Sequence, residues 1–150
     1  MKVFVAADHN GYDMKKDVLL FLQQLGTEPV AIGSEEFDAE DDYPLIARDA
    51  VLEVLGSDDS DPRAILLCGS GQGVAIAANR FKGIRAIVVG DSTEAKIARN
   101  DDDANVLCLP ARIMDGNGML WQDIIETWVK TPFAAAPRYI RRINQLDELV

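Results

Sequence analysis

Residues 64–68, Ala-Ile-Leu-Leu-Cys, are apolar at every position. A strand with one wet face alternates apolar with polar residues. An unbroken run fits a strand covered on both faces, as in a parallel sheet with helices above and below. The run begins at Arg63 and ends on Gly69-Ser70-Gly71-Gln72-Gly73, a turn that opens a helix of small residues reaching Arg80. The same order, strand then helix, runs along the whole chain. Strands are predicted at 2–7, 29–32, 63–68, 84–89 and 105–109. Helices are predicted at 12–25, at 44–55 with Pro44 in the first turn, at 93–100, and at about 118–130 and 137–149. Met14, Val18, Phe21, Leu22 and Leu25 share one face of the first helix. Ile46, Ala47, Ala50, Val51, Val54 and Leu55 share one face of the second. Residues 33–42 are acidic and unpatterned, and read as a loop. Short connections between alternating elements imply an α/β chain with three layers around a five-stranded parallel sheet, in one domain over residues 1–150.

Composition narrows the function classes. At 150 residues and 48% apolar, the chain can bury a core without disulfides or a structural metal. Its net charge of −10 argues against nucleic acid and anionic membranes as partners. A small anion stays open, because a few arginines can dominate one pocket. No apolar run approaches the roughly 18 residues of a membrane span. The first residues run directly into Asp8 without a secretory pattern, so the expected location is cytoplasmic. Cys68 and Cys108 form no Cys-x-x-Cys pair, and His9 is the single histidine. No zinc site is expected, and both thiols should be free.

Parallel sheets bind ligands at the carboxyl ends of their strands. The residues there are Asp8-His9-Asn10-Gly11, Cys68-Gly69-Ser70-Gly71-Gln72-Gly73, Gly90-Asp91-Ser92 and Pro110-Ala111-Arg112. The glycines let backbone N–H groups converge on one point, and the following helix adds its positive end. Such a turn holds an anion or a developing oxyanion, or is only a tight strand–helix connection. It lacks both the dinucleotide spacing and the Gly-Lys-Ser/Thr of a P-loop, which leaves a nucleotide site poorly supported. Cys68 at its mouth is a base, a nucleophile or a small core residue. Beside a helix start its pKa is expected to fall toward neutrality. Cys108, inside a strand, reads as core. His9 follows the first strand, with Asp8 in position to orient it. Arg112, and Arg138 with Arg142 one helical turn apart, read as phosphate clamps or as surface charges.

Several of these blocks, in order and over nearly the whole length, resemble the ribose-5-phosphate isomerase B / galactose-6-phosphate isomerase family. The blocks are Asp8-His9-Asn10-Gly11, Asp42-Tyr43-Pro44, Leu67-Cys68-Gly69-Ser70-Gly71, Ala77-Ala78-Asn79-Arg80, Gly83-Ile84-Arg85-Ala86, Asn105-Val106-Leu107 and Arg138 with Arg142. The resemblance implies a three-layer Rossmann-like subunit in a homodimer, with pairing of dimers left open. Active sites would lie between subunits, with the C-terminal helix reaching toward the partner. It implies interconversion of an aldose phosphate and its ketose through an enediolate, without metal or organic cofactor. It makes Cys68 the base and Ser70 a proton relay or hydroxyl contact. Gly69, Gly71, Gln72 and Gly73 lie in the turn whose N–H groups meet the enediolate. His9, Arg112, Arg138 and Arg142 become phosphate contacts, and Asp8 and Tyr43 line the substrate.

One block departs from the family pattern. Residues 99–107 read Arg-Asn-Asp-Asp-Asp-Ala-Asn-Val-Leu, so Asp101 stands where the family carries a ring-opening histidine, and Asp102 where it carries a substrate-binding asparagine. An ionised carboxylate accepts a proton but donates one poorly. Carboxylates near a helix C-terminus also oppose its dipole, which favours a ligand role for them. Four readings follow: a ribose 5-phosphate isomerase, an isomerase of another sugar phosphate such as a hexose 6-phosphate, a weakened enzyme, or a non-catalytic sugar-phosphate binder or partner subunit.

Overall fold

The computed structural model describes residues 1–149. Its elements run β1 (Lys2–Ala7), α1 (Tyr12–Gln24), β2 (Glu28–Ala31), α2 (Tyr43–Gly56), β3 (Arg63–Cys68), α3 (Gln72–Ala78), β4 (Ala86–Val88), α4 (Ser92–Asp102), β5 (Val106–Pro110), α5 (Ala111–Met114), α6 (Gly118–Lys130) and α7 (Pro137–Glu148). The strands form one parallel sheet in the order β2-β1-β3-β5-β4. The expected α/β/α, Rossmann-like arrangement is what the chain adopts.

The central strands alternate their side chains between two apolar layers. Val3, Val5, Ile65, Leu67, Leu107 and Leu109 face α1, α5 and α6, where Met14, Val18, Leu22, Ile124, Ile125 and Trp128 close over them. Phe4, Ala6, Ala64, Leu66, Cys68, Val106 and Cys108 face α2 and α3, meeting Ala47, Ala50, Val51, Val54, Val74 and Ala78. Burying one large apolar side chain contributes about 1.5–3 kcal/mol relative to leaving it exposed. The unbroken apolar run in β3 is therefore the signature of two cores, one per face. Cys108 is buried in the second.

Several expectations shift. Leu55, assigned to the apolar face of α2, is exposed. The helix after the glycine turn stops at Ala78 instead of Arg80, because the Asn79 side chain leaves it to bond both ways with the backbone of Ala86 (2.8 Å each). The fourth strand is shorter than expected, and α5 was not foreseen. Helix α4 runs two residues beyond its expected end, through Asp101 and Asp102. One carboxylate of this acidic end is paired: Asp103, in the left-handed conformation after the helix, receives Arg85 (2.8 Å) and Arg99 (2.9 Å).

The sheet polarity separates two ends of the molecule. The turns after β1, β3 and β5 lie at one end. The last turn of α4 lies at the other, where Asn100 O accepts from the Ala134 N–H (3.1 Å) and α7 begins. The far end of α7 stays there too, since Asp147 accepts from the Gly83 N–H (3.1 Å) just ahead of β4. No residue of α7 is buried, and Ile140, Leu146 and the following Leu149 are exposed.

Candidate active site

Strand order reverses direction between β1 and β3, and ligand clefts in open α/β sheets open at that seam. The turns after these two strands are pressed together. The Asp8 N–H donates to Leu67 O (3.0 Å). A Cβ on Gly11 would lie 2.5 Å from Leu67 Cβ and 2.7 Å from Leu67 O, so only glycine lets the chain pass there. Asp8 is 3% exposed, and its Oδ1 accepts from the N–H groups of Asn10 (2.9 Å) and Gly11 (3.3 Å).

Cys68 ends β3 with 7% of its surface exposed, and its thiol lies beside the Asp8 carboxylate. The expected fall in its pKa does not occur. Burial pushes the thiol above its ordinary value of 9.0, and the bond to Asp8 and its charge push the same way. The backbone N–H groups of Ser70 and Gly71, at the start of the turn, favour the thiolate, but do not prevail. Gly71 takes the left-handed conformation (φ 74°) that starts α3. The Ser70 Oγ accepts from the Gln72 N–H (3.3 Å), and both residues face solvent at the mouth of the turn.

Two side chains roof this turn. The Arg112 side chain lies over Gly69, where an added Cβ would sit 2.9 Å from Nε, while the Arg112 N–H donates to Gly69 O (3.2 Å). The Tyr43 ring lies over Gly73, where an added Cβ would sit 2.8 Å from two of its carbons. A side chain at Gly69 or Gly73 would have to displace this roof.

His9 is oriented by Asp41 and not by Asp8. Its Nδ1 lies 2.7 Å from Asp41 Oδ1, and its backbone N–H donates to the same oxygen (3.2 Å). Asn10 Nδ2 lies 3.0 Å from His9 Nε2, and Asn10 Oδ1 accepts from Arg112 Nε (3.3 Å). The imidazole pKa is raised, first by the bond to Asp41, and also by the charges of Asp8 and Asp41. Loss of solvent and Arg112 oppose the rise. Asp41 and the side-chain role of Asn10 were missed: Asp41 sits inside an acidic loop where nothing in the sequence sets it apart.

The remaining site candidates are elsewhere. Asp101 accepts from Asn100 Nδ2 (2.7 Å) and lies within electrostatic reach of Arg138. Arg138 stacks on Tyr139 (4.8 Å to the ring centre), and Arg142 is exposed on the same helix. Asp102 borders a different cavity, with Gly83, Ala104 and Asp147. These four lie at the opposite end of the sheet from Cys68, and one chain does not bring them to its own thiol. Among the described residues, no cluster of three or more His, Cys, Asp or Glu forms a metal site, and no helix is long and apolar enough to cross a membrane.

What the near end assembles is a thiol, a buried carboxylate and a glycine turn beside a rim that carries Arg112 and His9, groups of the kinds used in proton transfer at carbon next to a carbonyl. The profile of the Ribose/Galactose Isomerase family matches residues 3–146. The chain belongs to this family. Members of the Ribose/Galactose Isomerase family similar to it include a ribose-5-phosphate isomerase B of Mycolicibacterium paratuberculosis, 34% identical over 99% of this chain and 91% of that protein. The structure of Trypanosoma brucei type B ribose 5-phosphate isomerase superposes with a TM-score of 0.91 at 33% identity, over 99% of this chain and 98% of that one. The Mycoplasma genitalium ribose-5-phosphate isomerase B, solved with bound ribulose-5-phosphate, gives 0.87 at 36% identity, over 99% and 95%.

Proposed function

We propose that this chain interconverts ribose 5-phosphate and ribulose 5-phosphate through an enediolate, with Cys68 as the base. The observation that carries this reading is the place of the Cys68 thiol, nearly buried at the end of β3, with Asp8 held against the same strand and the glycine turn just after it. In the forward direction the Cys68 thiolate takes the proton from C2. The electron pair left behind forms the C1–C2 double bond, and negative charge moves to the C1 oxygen. The thiol then returns the proton to C1 as the C2 hydroxyl proton passes to the C1 oxygen, leaving a ketone at C2 and a hydroxyl at C1. Asp8 orients the thiol, and the turn N–H groups stabilise the oxyanion. Ser70 relays a proton or holds a hydroxyl. The phosphate, remote from the bond changes, anchors the substrate at His9 and Arg112.

A complete site takes Arg138, Arg142 and Asp101 from a second copy, since within one chain they lie at the far end of the sheet. The unburied α7 supports a homodimer with shared sites. Such an enzyme works in the cytoplasm, in the pentose phosphate pathway, without metal or organic cofactor. One observation favours a second reading, an isomerase of another sugar phosphate: Asp101 stands where a ring-opening histidine is expected.

Proton NMR in D2O with a panel of pentose and hexose phosphates tests both. Turnover with deuterium entering at the exchanging carbon, lost in Cys68→Ala while phosphate still binds, is the expected result, and the best substrate decides between the readings. Exchange that persists in Cys68→Ala removes Cys68 from the base role. No exchange with any sugar, open-chain ketose phosphates included, leaves a sugar-phosphate binder.

A further inference from the structure

The side chains at the cationic rim form a row whose hydrogen bonds all run one way. Arg112 Nε donates to Asn10 Oδ1 (3.3 Å), Asn10 Nδ2 faces His9 Nε2 (3.0 Å), and His9 Nδ1 faces Asp41 Oδ1 (2.7 Å). A guanidinium only donates, so the amide oxygen of Asn10 must face Arg112 and its NH2 must face the ring. A carboxylate only accepts, so the ring hydrogen sits on Nδ1 and Nε2 is bare. The two ends of the row thus specify a neutral imidazole in a single tautomer.

Adding a proton at Nε2 breaks the row whichever way Asn10 turns. As it stands, two N–H groups meet between Asn10 and His9. With the amide reversed, two N–H groups meet between Asn10 and Arg112. An anion that accepts from both Nε2–H and the Arg112 guanidinium, with Asn10 turned aside, removes the conflict. The charged groups facing the ring come from three elements: Asp8 from its own turn, Asp41 from the loop ahead of α2, and Arg112 from α5. The two carboxylates favour the imidazolium and Arg112 disfavours it. An anion on Arg112 removes that opposition.

We propose that Asp41 is a positioning residue that couples phosphate binding at this rim to uptake of one proton by His9, with Asn10 as the amide that must turn when the proton arrives. The coupling rests on His9 and Arg112 being phosphate contacts, and adds to that reading the protonation state in which they act. Above the titration midpoint of the ring the empty site holds a bare Nε2 closed off by Asn10, and the occupied site holds an imidazolium between a carboxylate and a phosphate.

His9 is the only histidine, so its ring nitrogens and carbon-bound protons are observed by NMR without competing signals. The experiment uses the full chain, with inorganic phosphate as the probe. Expected without phosphate, at a pH above the midpoint, is a neutral ring carrying hydrogen on Nδ1. Saturating phosphate should raise the titration midpoint of the ring by about one pH unit, equivalent to about tenfold tighter binding to the imidazolium than to the neutral ring. In Asp41→Asn the midpoint should fall in the absence of phosphate, while Asp41→Glu, which keeps the carboxylate, should keep it raised. A neutral ring carrying hydrogen on Nε2, or a midpoint indifferent to Asp41→Asn in a variant whose methyl spectrum shows it folded, overturns the proposal. Ring signals that shift with phosphate at an unchanged midpoint overturn the coupling and leave the phosphate contact standing. Calorimetric phosphate binding that leaves the His9 signals unmoved overturns the contact and the coupling together.

Discussion

Replacing Asp8 by Asn tests what holds the Cys68 proton. The carboxylate is 3% exposed, so water screens its charge poorly, and it raises the pKa of the thiol beside it. The amide has the same shape. Its oxygen can still accept from the N–H groups of Asn10 (2.9 Å) and Gly11 (3.3 Å), so the turn keeps its hydrogen bonds. The atom facing sulfur can become a donor, however, and the negative charge is gone. Exchanging a buried like charge for a donor should lower the thiol pKa by about 1–2 units, which stabilises the thiolate by about 1.4–2.7 kcal/mol. The assay is the pH dependence of alkylation by iodoacetamide, followed by the mass of the peptide carrying Cys68. Cys108 gives no background, since it is fully buried and burial drives its own pKa far upward. Because the thiolate reacts, the wild-type rate should keep rising beyond pH 9, whereas the Asp8→Asn profile should level off one to two units lower. If Cys68 is the base, the acid limb of turnover moves the same way. A profile unchanged or displaced to higher pH would show that burial alone sets this thiol, and would refute the assignment to Asp8.

Gly11→Ala should destabilise the fold by about 1–3 kcal/mol, as overpacking does, because the new methyl meets the Leu67 backbone at 2.7 Å and cannot move aside; the denaturant midpoint measures it, and an unchanged midpoint would show that the two turns are not in contact. Asp101→His should raise turnover of cyclic ribose 5-phosphate, by restoring a group that both gives and takes a proton near neutral pH. A rate that is unchanged or lower would mean that the site is built around another sugar.

The strands and the glycine turn were legible because each carries its own physical signature. Residues 64–68 are apolar without interruption, since their two faces lie in different cores. Glycines 69, 71 and 73 are small because a guanidinium, a neighbouring strand end and a tyrosine ring approach them. The pairing of β1 with β3 at the seam was hidden, because strand order is fixed by contacts between distant residues. Asp41 was hidden for the opposite reason: the loop around it is full of acids, and only its distance to His9 separates it from them. The acidic run at 101–103 gives no sign of which carboxylate a cation meets; the structure pairs Arg85 and Arg99 with Asp103.

The sheet order also governs how the chain can be made. Strand β4 pairs only with β5, and β5 lies between β3 and β4 although it is the last strand in sequence. A ribosome that has released the chain only as far as Val88 has released a β3 with one bare edge and a β4 with nothing to pair to. An uncovered edge of consecutive apolar residues is a template for other chains. The nascent protein passes through that state until Val106–Pro110 emerges, and pauses in translation, or nicks, between residues 88 and 106 are where it should be most prone to aggregate.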